Sequence, residues 1–111
     1  MAEPIWPPRE ALELLHQESL AEFGGLAGLR NEEGLESALA RPQNCHAYEG
    51  LADPFRLAAE YAFGIMRNHP FVDGNKRGGF FAAGAFLAIN GWQIDGEETE
   101  VVNACLLLAA G

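Results

Sequence analysis

Apolar positions recur at helical spacing along most of the chain. Leu12, Leu15, Leu20 and Phe23 follow Pro7-Pro8 and precede Gly24-Gly25. Proline opens a helix readily and glycine closes one, so a first helix is predicted between the two pairs. Residues 26–31 read as a loop. Glu33 to Ala40, with Leu35, Ala38 and Leu39 on one side, predicts a short helix that stops before Arg41-Pro42. Residues 42–52 mix Pro, Asn, His, Tyr and Gly without a period and read as a second loop.

Asp53-Pro54 is a strong helix start, a capping side chain followed by proline at the first helical position. From there Phe55, Ala58, Ala59, Ala62, Ile65 and Met66 repeat at three and four residues, a core-facing stripe. Pro70 restrains the residue before it, so this helix is predicted to end near Asn68. Residues 69–74 then form a loop, and a second long helix runs from about 75 to 90, with Gly91 as its stop. Beyond Arg77 that helix is apolar on every face, as a buried central helix would be. A last helix is predicted from Asp95, carrying Val101, Val102, Cys105, Leu106 and Leu108. No segment alternates as a strand does, and no repeat is present. The fold class is all-α, a compact single-domain helical bundle over residues 1–111.

Composition narrows the class. A chain of 111 residues supports a single core, and 49% apolar with 21% charged residues fits a globular protein. The apolar stretch Phe80 to Ile89 is too short to span a bilayer, so no membrane association is expected. The start of the sequence carries no basic-then-apolar export pattern, which makes the cytoplasm the expected location. Cys45 and Cys105 match no metal spacing and are expected to be free thiols, Cys105 in the core. The net charge of −9 argues against direct nucleic-acid binding. Yet Arg67, His69, Lys76 and Arg77 fall within eleven positions. A local cationic site on an acidic protein suits a small polyanion.

His69-Pro70-Phe71-Val72-Asp73-Gly74-Asn75-Lys76-Arg77 is where chemistry concentrates. The segment feeds the N-terminus of the apolar helix, and helix N-termini attract anions. Gly74 lets the backbone turn and approach a ligand closely. Lys76 and Arg77 in a first helical turn oppose the helix dipole unless an anion compensates them, and phosphate is the obvious one. A solvated charged pair is the plainer reading. Histidine titrates near neutrality, so His69 can take a proton from an attacking hydroxyl, though it could also be a helix-end cap. Asp73 is a single carboxylate beside a phosphate site, which suits Mg²⁺; it could equally serve as an N-cap. Asn75 can bind a phosphate oxygen or hold the turn. Arg77 can grip phosphate bidentately and neutralise transition-state charge. Phe71 and Val72 read as apolar anchors, Phe71 plugging the loop into the core.

The segment resembles the signature of the Fic/Doc superfamily, His-x-Phe-x-Asp/Glu-Ala/Gly-Asn-x-Arg between two helices. Upstream, the stretch from Gly34 to Gln43 looks like the one preceding the core in Doc-type members. With Ala59 to Asn90 and Asn90-Gly91-Trp92, the likeness covers most of the chain. Doc-like chains carry one more C-terminal helical segment, which this sequence is expected to lack. Fic members that transfer AMP have a small residue before the first arginine and a second arginine three positions after it. Here Lys76 and Phe80 occupy those places, which is the Doc pattern.

The Doc resemblance implies an enzyme that hands the γ-phosphoryl of ATP to a hydroxyl of a target protein, with Mg²⁺ and with His69 and Arg77 catalytic. It implies a translation elongation factor as target class, and growth arrest. The implied partner is an antitoxin protein whose C-terminal segment covers the site. Ser19 and Glu22 are one residue short of the spacing of an internal inhibitory helix, so restraint in trans is expected. His46 and Tyr48 lie in the stretch that borders the site and docks the target in this superfamily, a weaker expectation. Two further functions stay open: an AMP- or nucleotidyl-transferase on the same site, and a non-catalytic antitoxin-binding module.

Overall fold

A computed structural model of the chain describes residues 3–92. The helix expected from Asp95, and Cys105 with it, lie outside the described residues. The described part is all-α: α1 (Arg9–Phe23), α2 (Glu32–Glu49), α3 (Pro54–Asn68) and α4 (Asn75–Ile89). α3 packs between α2 and α4, and α1 lies against α4. No helix among the described residues is long and apolar enough to cross a membrane.

α1 starts after Pro8, which is extended at φ −68°, ψ 149°, and ends at Gly24, whose φ of 88° suits glycine. α3 begins where Asp53 accepts the Phe55 N–H at 2.9 Å, with Pro54 in the first turn. The expected stripe is core-facing, and Leu57 and Tyr61, 0% and 1% exposed, join it. In α4, Phe86 and Leu87 are fully enclosed, while Phe80 and Phe81 are half-buried. Both tryptophans pack, Trp6 stacked on Phe86 at 5.6 Å and Trp92 edge-on to Phe55 at 5.0 Å. Cys45 is a buried free thiol, pushed up to about 11 by desolvation and a hydrogen bond with Glu49.

The second helix corrects the sequence reading. It does not stop before Arg41-Pro42; it runs through Pro42 to Glu49, and the expected loop over 42–52 shrinks to the few residues after it. The reason lies in packing. Leu35, Ala38, Pro42 and Cys45 are all buried, at spacings of three and four, so Pro42 is itself a stripe residue. Proline withholds the N–H that would bond the Ala38 carbonyl, a local cost that burial of the stripe overrides. α3 comes close to α2 at Ala38, one turn before Pro42. A Cβ on Gly64 would sit 3.2 Å from the Ala38 oxygen and 3.0 Å from its Cα. Gly79 does likewise for α4, where a Cβ would lie 3.0 Å from the Ala62 carbonyl oxygen. Two glycines thus let three helices approach backbone to backbone.

Candidate active site

The helix end at Asn68 places His69 in the left-handed region, at φ 48°, ψ 54°. Its N–H still closes the helix onto Ile65 at 3.1 Å. The chain then runs beside residues 28–31. The Pro70 carbonyl accepts the N–H groups of Arg30 at 2.7 Å and Asn31 at 3.0 Å, and Val72 donates to Gly28 at 3.0 Å. Leu29 and Phe71 form an isolated antiparallel bridge. The Arg30 side chain adds a hydrogen bond from Nε to the His69 carbonyl at 2.9 Å. The loop after α1 therefore forms one wall of the site.

Phe71 plugs into the core as expected, 6% exposed, whereas Val72 is 48% exposed. That corrects its expected role as an anchor: along an extended stretch successive side chains point to opposite sides, so with Phe71 inward Val72 faces out. Asn75 performs the second of its two expected jobs. Its Oδ1 accepts the Phe71 N–H at 3.0 Å and its Nδ2 donates to the Phe71 carbonyl at 2.9 Å, which fixes the turn. The same amide nitrogen lies 3.2 Å from His69 Nδ1. A backbone N–H can only donate, so the amide oxygen must face Phe71 N and the amide nitrogen must face the imidazole. His69 Nδ1 is then an acceptor, and the neutral ring carries its proton on Nε2.

Asp73 is exposed and faces the loop after α1. Oδ1 accepts the Gly74 N–H at 2.9 Å and Oδ2 the Leu26 N–H at 3.2 Å. These backbone donors, with smaller contributions from the Arg77 and His16 charges, hold its carboxyl below the usual range. The carboxylate caps neither end of a helix; Gly74 is the N-cap of α4 and supplies no side-chain bond. The first turn of α4 has no acidic residue of its own; Asp73, just before it, is the carboxylate that feels the Arg77 charge. Lys76 is exposed. Arg77 is anchored: Nη2 donates to the Gly24 carbonyl at 2.7 Å and Nη1 to the Ser19 carbonyl at 3.3 Å. Phe23 flanks its guanidinium at 5.7 Å. A guanidinium has five N–H groups, so donors remain for a phosphate.

A magnesium site can be tested against these donors. No cluster of three metal-ligating side chains occurs among the described residues. Asp73 offers a lone carboxylate that is ionised and exposed, each oxygen retaining a free lone pair. That fits Mg²⁺ held jointly by one carboxylate, phosphates and water.

His46 and Tyr48 fall in the last turn of α2 rather than in a loop, because α2 continues through Pro42. His46 meets the edge of Trp6 at 5.8 Å, and Tyr48 is 84% exposed. None of the ring contacts or hydrogen bonds around 69–77 involves them. What the sequence reading missed lies on α1 and its following loop: His16, Arg30, and the Ser19 and Gly24 carbonyls. His16 carried a signal. It shares the buried face with Leu12, Ser19 and Leu20, and a polar side chain on such a face must find a partner.

The Fic/DOC family model matches residues 6–87. "Protein kinase doc" of Escherichia phage P1 is 36% identical over 85 residues, which cover 77% of this chain and 68% of that protein. "Toxin Doc" of Mycolicibacterium smegmatis is 43% identical over 76 residues, covering 65% of this chain and 56% of that one. The chain thus spans between about half and two thirds of the length of these relatives. Motif, helical frame and relatives agree, and the chain belongs to the Fic/DOC family, among its Doc-type members.

Proposed function

We propose that the protein is a Doc-type toxin of a toxin–antitoxin module that transfers the γ-phosphoryl of ATP to a protein hydroxyl. One observation carries the reading: His69 meets Asn75, Asp73 meets Gly74 and Arg77 stands in the same first turn of α4, which has no acidic residue of its own. The relative named a protein kinase is 36% identical over 85 residues, which supports phosphoryl rather than nucleotidyl transfer. Position 80 supports it too. A second phosphate-binding arginine would be expected there for AMP transfer, and Phe80 instead packs against the core.

In the reaction a target hydroxyl oxygen bonds to the γ-phosphorus, the bond from that phosphorus to the β,γ-bridging oxygen breaks, and ADP leaves. The hydroxyl proton passes to His69. Acceptance at Nδ1 requires the 3.2 Å contact with Asn75 to open. Acceptance at Nε2 requires the proton already there to move to Nδ1, which opens the same contact. Either route therefore releases Asn75, which frees its amide for a phosphate oxygen. Arg77, fixed by two carbonyls, meets charge growing on the transferred group with little reorganisation. Gly74 and the N–H groups of Asn75 and Lys76 cradle the phosphates, and Lys76 adds a point charge. Mg²⁺ held at Asp73 would neutralise phosphate charge when bound.

The proposed setting is the cytoplasm, the proposed target a translation elongation factor, and the proposed partner an antitoxin whose C-terminal segment covers this face. The test is label transfer. Purified protein, Mg²⁺ and a bacterial lysate are incubated with ATP labelled at the α- or the γ-phosphate. Label reaching a lysate protein from γ alone supports the proposal. Transfer from α means AMP addition, and no transfer from folded protein favours a binding module.

A further inference from the structure

The geometry points to His16 as a positioning residue that latches the Asp73–Gly74 peptide in one orientation. His16 projects from α1, 3% exposed, with its ring stacked on Phe71 at a centroid distance of 3.7 Å and 11° between planes. Its Nε2 lies 2.7 Å from the Asp73 carbonyl oxygen. A carbonyl only accepts, so Nε2 carries a proton and donates it.

A trans peptide holds its C=O and the next N–H in one plane, pointing opposite ways. Holding the Asp73 oxygen toward α1 therefore turns the Gly74 N–H away from α1, where it meets Asp73 Oδ1 at 2.9 Å. Apart from that Asp73 contact, the backbone at Gly74 does not enforce this choice. Gly74 has φ 71° and no side chain, and glycine accepts either orientation of the preceding peptide at small cost. A flipped peptide would strip His16 of its buried partner and Asp73 of a backbone donor. It would also turn the residue that begins α4, at the point where a Cβ on Gly74 would come within 3.3 Å of His16 Nε2 and 3.5 Å of Arg77 Nη2. One bond from α1 thus sets the direction of the carboxylate, the first N–H groups of α4 and the approach to Arg77 together.

The effect on turnover rests on the phosphoryl-transfer reading; the latch itself does not. His16→Gln and His16→Leu both remove the ring over Phe71, but only glutamine retains an N–H donor near the Nε2 position. We expect His16→Leu to lose roughly 10- to 100-fold in kcat, the size of effect a small misplacement of reacting groups produces. His16→Gln should stay within a few-fold of wild type. Independently of activity, the Gly74 amide should give one NMR cross-peak in wild type and His16→Gln, and a split or broadened one in His16→Leu. Long-range imidazole ¹⁵N spectra of the wild type should show His16 with the proton on Nε2, a reading that needs no variant to fold. Equal losses in the two variants with unchanged Gly74 peaks would mean that the ring merely packs, and overturn the latch. So would a His16 proton found on Nδ1 alone. A wild type that transfers no label but shows the Gly74 difference sinks the kinase reading and leaves the latch standing.

Discussion

His69 occupies a backbone region that few side chains other than glycine adopt, and histidine is among those that tolerate it best. Two contacts hold it there, the Arg30 bond to its carbonyl and the helix-closing N–H to Ile65. The side chain remains exposed and, among the described residues, is tied by Asn75. Visible in the sequence were the candidate groups whose chemistry is in their side chains: His69, Asp73, Asn75 and Arg77. Hidden from it were backbone partners, because the Ser19 and Gly24 carbonyls and the Leu26 N–H carry no residue signature. Asp73 gives a pH prediction. Its carboxyl is held low in the folded state, so the stability it contributes is present above the unfolded range of about pH 4 and is lost as pH falls through the folded value. Denaturation of wild type and Asp73→Asn should differ at neutral pH and converge in acid; a difference that grows in acid would contradict the assignment. Arg77 gives another. Arg77→Ala should lower kcat about 10²- to 10³-fold, as removal of one transition-state donor does. Arg77→Lys should remain impaired, since an ammonium cannot bridge two carbonyls and still present a fork. Near-normal turnover by the lysine variant would show that charge alone suffices.

At the scale of helices, local signals and packing divide the explanation. Asp53-Pro54 and Gly24 marked boundaries correctly because caps act through adjacent backbone groups. Pro42 misled because its effect on the ladder is local, while burial of the stripe that runs through it depends on α3, remote in sequence. The same remoteness hid Gly64 and Gly79, which look like poor helix formers and are contact points. Replacing Gly79 by alanine gains up to about 1 kcal/mol in helix propensity. The new methyl would meet the Ala62 carbonyl at 3.0 Å, a backbone group that cannot rotate away. Overpacking costs about 1–3 kcal/mol, so Gly79→Ala should lower stability by about 1 kcal/mol net in urea unfolding. Unchanged or raised stability in Gly79→Ala would remove the close-approach account.

On the scale of the whole molecule, an acidic chain carries a cationic corner. Its net charge is −9, yet Lys76, Arg77 and the first turn of α4 form a site without a single acidic residue in that turn. α1 and its loop close this corner from one side while the α3–α4 turn supplies the proposed reacting groups from the other. Such an arrangement favours a compact polyanion over a duplex, which would meet repulsion beyond the corner. The most direct measurement is γ-phosphoryl transfer from labelled ATP to a lysate protein, run with wild type and His69→Ala at matched concentration and matched helical content by circular dichroism. The account predicts transfer by the wild type and a loss of about 10²- to 10⁴-fold in the variant, the usual range for removal of a general base. Transfer at the wild-type rate by folded His69→Ala would contradict it.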